Sequence, residues 1–195
     1  MPDEKDTLKR YLQAQRDALR WKLDGLGERD ARWPMTPTGT NLLGLVKHVA
    51  SMEYEYFGNV FDRPAPEPLP WLDDDAEANA DLWATVDQSR EWVAGFYQRA
   101  ITHADATIDA LALDDTGTVP WWPADGNTVT LHWILVHMIA ETARHAGHAD
   151  IVRETVDGAI GLRQGVSNLP DRDAQWWTDY VEKLKRTAEE AQYRT

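Results

Sequence analysis

At 195 residues the chain is long enough for one domain that buries a substantial core without metal or disulfide staples. It has no cysteine, which excludes disulfides, cysteine-ligated zinc, iron–sulfur clusters and a cysteine nucleophile. With 33 acidic against 20 basic residues the net charge is −13, so nucleic acid is repelled overall, and no basic cluster offsets this.

Taken in chain order, residues 6–25 read as a first helix, with Leu8, Tyr11, Leu12, Gln15, Leu19 and Leu23 near one face and Gly25 and Gly27 ending it. A loop with Pro34 and Pro37 follows. A second helix begins at or just after Asn41, and its apolar stripe runs through Leu42, Leu45, Val49, Met52, Tyr56 and Val60, with His48 beside it. The four prolines between positions 63 and 70 require a non-helical connection. Asp73, Asp74 and Asp75 then predict an acidic cap on a third long helix, striped by Leu82, Val86, Ser89, Val93, Phe96, Ala100, Thr107 and Leu111. A loop over 114–127 carries Pro120, Trp121, Trp122 and Pro123; Thr128 or Thr130 caps a fourth helix that stops at Gly158. Asp171 or Asp173 starts a last, shorter helix, on which Trp176 and Trp177 are expected to pin it to the body. No segment alternates as a strand does. One all-α domain over 1–195, a four-helix bundle with a fifth C-terminal helix, is the expected architecture. No segment is apolar enough to span a bilayer and the polar start is no signal peptide, so a soluble cytoplasmic protein is expected.

The fourth helix holds the chemistry. Leu131, Ile134, Met138, Glu141, His145, His148 and Val152 follow steps of three and four, so all seven share one face. A core stripe that turns into Glu-x3-His-x2-His needs a ligand or a pairing partner, because ionisable groups are rarely buried alone. Glu141 and His145 lie one turn apart and can reach one ion from the same side. His48, near mid-helix on the second helix, supplies a third arm if the two helices are neighbours. Two imidazoles and a carboxylate suit zinc, iron or nickel and leave positions open for water or a substrate atom. A buried Glu–His ion pair explains the same spacing, and His137, four before Glu141, is an alternative third ligand. His103 reads as a satisfied core histidine and His132 as a solvent residue. Trp121 and Trp122 either roof a pocket or plug the bundle end.

Other patterns are missing. The chain has no His-Glu-x2-His, no Glu-x2-His pair for a di-iron bundle, no Gly-x-Ser-x-Gly and no phosphate-binding glycine loop. The acidic run at 73–75 lacks the spaced ligands of a calcium loop.

The segment LVHMIAETARHAGHADIVRE at 135–154 resembles the fourth helix of the DinB-like superfamily, closest to its actinobacterial branch of mycothiol-dependent S-transferases. LLGLVKHVASMEYEYF at 42–57 resembles that branch's second helix, and NLPDRDAQWW at 168–177 its C-terminal segment. The resemblance implies a four-helix bundle, usually a homodimer, holding one divalent metal through three side chains. Many members use three histidines; carried over, these positions fall on His48, Glu141 and His145. The departure at Glu141 is similar to the His/Glu/His set of the mycothiol-dependent maleylpyruvate isomerase branch. His148 falls where many members carry Gln, which marks it as a neighbour of the metal or a substitute ligand.

Together these readings predict a metal-dependent transferase that joins a low-molecular-weight thiol, mycothiol by branch, to an electrophilic small molecule. Zinc stands ahead of nickel or iron. His148 is expected to relay a proton, and Trp121 and Trp122 to face the thiol cosubstrate. The alternatives are a non-catalytic metal-binding stress-response bundle and a metal-dependent isomerase or hydrolase at the same site.

Overall fold

A computed structural model of the chain describes residues 3–193. Helix α1 spans Glu4–Arg20 and continues as a 3-10 turn over Trp21–Leu23; α2 is a short helix at Glu28–Arg32. The long elements that follow are α3 (Leu42–Phe57), α4 (Arg90–Ala110), α5 (Leu131–Asp157) and α6 (Ala174–Gln192). Helices α1, α3, α4 and α5 form the expected bundle. α3 packs between α4 and α5, and α1 packs on α5 and reaches α4 through the Arg16–Asp105 ion pair. Among the described residues, no helix is long and apolar enough to cross a membrane.

The helix ends follow side-chain chemistry. Asn41 accepts from the Gly44 N–H, Thr130 from Trp133 and Asp173 from Trp176, each cap contributing about 1 kcal/mol. α5 ends where Gly158 turns left-handed at φ 79°, a conformation with little penalty for a residue without Cβ. Two apolar clusters fill the bundle. One gathers Leu19, Leu43, Val49, Phe96 and Ala149; the other gathers Leu12, Phe57, Ile108, Ile134 and Met138. Through them runs a buried ion pair. Arg16 grips both oxygens of Glu53 at 2.7 and 2.6 Å and reaches Asp105 at 2.8 Å, tying α1 to α3 and α4. Removing either partner of such a pair strands a buried charge, at a cost of about 3–5 kcal/mol.

Three expectations are corrected. The third long helix does not start at Asp73: its cap is Ser89, which accepts from the Trp92 N–H, and Val86 is 89% exposed. Asn79 is left-handed (φ 63°), and past it the chain makes only a 3-10 turn at Ala80–Leu82. There the backbone serves tertiary donors instead of a helix. Lys47 Nζ donates to the carbonyls of Ala80 and Trp83 at 2.8 and 2.9 Å, Asn41 donates to Leu82 at 3.2 Å, and Arg32 donates to Ala84, Thr85 and Gln88. Those bonds fix 80–88 as a strap across α3, and they outweigh a helix propensity of a few tenths of a kcal/mol per residue.

The second correction is a small hairpin, β1 (Thr116–Thr118) and β2 (Thr128–Thr130), antiparallel with Thr116 opposite Thr130. Three-residue strands are too short to show alternation. The third concerns α6. At 19 residues it is shorter than α4 and α5 though not than α1 or α3, and none of its residues is buried. Trp176 and Trp177 therefore do not pin it to the bundle core. Trp176 stacks on Tyr180 at 5.2 Å, while Trp177 meets the Trp176 ring edge-on and borders the loop after α5.

Candidate metal centre

The centre of interest lies where α3 faces α5. Glu141 and His145, one turn apart on α5, point across to His48 on α3, and one donor atom from each lies within 4.8 Å of the others. His145 Nε2 is 2.9 Å from Glu141 Oε1 and His48 Nε2 is 3.4 Å from the same oxygen. The two imidazoles meet edge to face with centroids 4.8 Å apart. All three residues are half-buried. Two donors held at about 2.1 Å from a tetrahedral ion stand about 3.4 Å apart, so these spacings suit one small divalent cation with minor side-chain adjustment. The donor set, two nitrogens and one carboxylate oxygen, is borderline in softness and fits the same ions.

A residue that sequence reasoning missed completes the arrangement. Asp81, carried by the strap, lies with Oδ2 2.6 Å from His48 Nδ1. Burial works against charge on His48, but the carboxylates of Asp81 and Glu141 overcome it and raise the imidazole to about 9. Hydrogen bonds from His145 and His48 hold the Glu141 carboxyl well below the usual carboxylate range, and the bond to His48 also depresses Asp81. The protein therefore keeps both carboxylates charged at neutral pH, with proton-bearing imidazole between them.

The remaining candidate residues fall outside this trio. His148 is a neighbour: its ring lies edge-on to His145 at 5.4 Å, and burial, with His145 and Arg144 nearby, lowers it below the ordinary histidine value. His137 instead belongs to an aromatic group one turn earlier. It stacks on Trp133 at 5.4 Å and contacts Tyr56 and Trp122 at 4.6 and 5.6 Å. Trp122 packs against the second core cluster, while Trp121 is exposed beside Tyr56. Along α5, His132, Trp133, Val136, His137 and Ala140 line an apolar groove of about 310 Å³. His103 is satisfied by the Arg63 carbonyl at 2.7 Å, and His132 is half-buried with Nε2 3.3 Å from Glu4.

Comparison with known proteins adds the family. Residues 7–158 match the mycothiol-S-transferase family, a span that covers α1 through α5 and all three residues of the cluster. The chain belongs to that family. A crystal structure of a conserved protein from Enterococcus faecalis shares the fold of this mycothiol-S-transferase family member with a TM-score of 0.63. The two are 15% identical over 81% of this chain and 99% of that one. No curated protein matches the sequence significantly. The family membership expected from the helix motifs is borne out, and α6 lies beyond the matched span.

Proposed function

We propose that the protein is a metal-dependent transferase that conjugates mycothiol to an electrophilic small molecule. The observation that carries this reading is the His48–Glu141–His145 cluster, with its donors gathered within 4.8 Å inside a family named for the reaction. His48, Glu141 and His145 are the ligands in this reading, and zinc is the first choice of ion. Bound there, a divalent ion would supply Lewis acidity, which lowers the pKa of a thiol from its free value of about 8.5 and favours thiolate at neutral pH.

The chain's own residues do the rest. Glu141 would offset part of the ion's charge, and His48 and His145 would hold it beside that carboxylate. His148, held neutral, accepts the thiol proton as the sulfur deprotonates. The new S–C bond forms at the electrophilic carbon. The displaced electron pair leaves with a leaving group or is protonated after addition. The apolar groove along α5 is assigned to the electrophile, and Trp121 and Trp122 are the residues assigned to the cosubstrate side. Alignment of sulfur and carbon in one cleft supplies much of the acceleration. The homodimer implied by the resemblance belongs to the same reading.

The test is mass spectrometry of conjugates after the metal-loaded protein meets mycothiol and a panel of electrophiles. Conjugate formed faster than in buffer supports the reading. Formation at the uncatalysed rate across the panel sinks it and leaves a metal-binding bundle without transfer.

A further inference from the structure

The two histidines of the cluster are supported unequally. His145 shares a helix with Glu141, so the geometry of α5 alone aims its ring; its Nδ1 is buried with no hydrogen-bond partner among the described residues. His48 comes from a different helix and has no such neighbour on its own turn. Its Nδ1 is met from outside by Asp81 at 2.6 Å, on a strap 33 residues further along the chain.

We propose that Asp81 is a positioning residue: by accepting the Nδ1–H of His48 it fixes the tautomer and ring orientation that present Nε2 to the metal. The strap is built to deliver it. Lys47, adjacent to His48 in sequence, clamps the carbonyls of Ala80 and Trp83, one on each side of Asp81. Asn41 holds the Leu82 carbonyl, and Gly44 lets the strap lie directly on α3, since a Cβ there would overlap the Leu82 carbonyl oxygen. These backbone anchors hold the strap without help from the Asp81 side chain, so its carboxylate is left for the imidazole. A hydrogen-bonded carboxylate behind a ligating histidine sharpens orientation and raises basicity, and its loss costs about 10–100-fold in metal affinity.

This proposal rests on the metal reading of the cluster, and one set of variants separates the two. Zinc affinity is measured by competition with a chromophoric chelator for the wild type, His48→Ala, Asp81→Ala, Asp81→Asn and Gly44→Ala, with the His48 Nδ1–H followed by NMR in the zinc-loaded protein. The expected result is loss of stoichiometric zinc in His48→Ala, and stoichiometric but about 10–100-fold weaker binding in Asp81→Ala. Asp81→Asn, whose amide oxygen still accepts the bond, recovers part of that loss. Gly44→Ala weakens zinc by lifting the strap, though it touches no ligand. The Nδ1–H resonance, far downfield in wild type, moves upfield in Asp81→Ala. If His48→Ala keeps its zinc, the cluster reading itself fails. If His48→Ala loses zinc while Asp81→Ala binds like wild type with an unchanged resonance, the positioning role alone is overturned. Asp81→Ala losing zinc stoichiometry altogether also overturns it, in favour of direct ligation.

Discussion

His48 sits between two carboxylates, Asp81 on Nδ1 and Glu141 on Nε2, and that sandwich governs how protons compete with metal. The imidazole is raised to about 9, so the metal-free protein holds a proton on His48 throughout the neutral range. Metal binding must expel that proton, which makes affinity rise with pH below the raised value. From pH 7 the apparent zinc affinity is expected to climb about tenfold per unit and to flatten above about pH 9, a window well above the ordinary histidine value. Chelator competition across that range checks it, and a flat affinity contradicts histidine ligation by a proton-bearing His48. At this scale the sequence was generous. Glu141 and His145 announce themselves by interrupting an apolar stripe in phase, and His48 by its place beside one. Asp81 could not be found the same way, because nothing local links it to His48; only the route of the strap does. Trp121 and Trp122 were visible as bulky loop residues, but their partners, Tyr56, Trp133 and His137, lie on other elements.

Elements with long apolar periodicity were readable because burial sets their period, and α1, α3 and α5 fall close to their expected spans. The segment before α4 misled because its composition suits a helix while its carbonyls are claimed by Lys47, Asn41 and Arg32, a competition that only tertiary structure reveals. Ser89, a cap residue directly before the buried run Val93, Phe96 and Ala100, was the better signal for the start of α4. α6 carries the opposite lesson. Its apolar side chains Trp176, Trp177, Tyr180, Val181 and Leu184 lie on one face as in a packed helix, yet none is buried. Deleting residues from 174 onward is therefore expected to shift the thermal midpoint by less than about 2 °C, since about 1 kcal/mol of packing corresponds to 2–4 °C for a domain of this size. A fall of about 5 °C or more in a thermal melt would show that α6 contributes packing absent from this structure.

Across the whole molecule, the bundle brings α3 and α5 together so that three side chains separated by up to 97 positions meet within 4.8 Å, and the strap adds a fourth beside them. The family match ends at residue 158, close to the end of α5 and well after the last of these residues. The central claim is that this cluster, once metallated, drives thiol transfer. It is tested most directly by stripping the protein of metal, adding zinc back in substoichiometric steps and measuring conjugation of mycothiol to a reactive electrophile at each step, alongside His145→Ala. The rate is expected to rise linearly with bound zinc to one ion per chain, with a flat response near the uncatalysed rate in His145→Ala. Metal-free protein as fast as the loaded form, or undiminished transfer by His145→Ala, would contradict the claim.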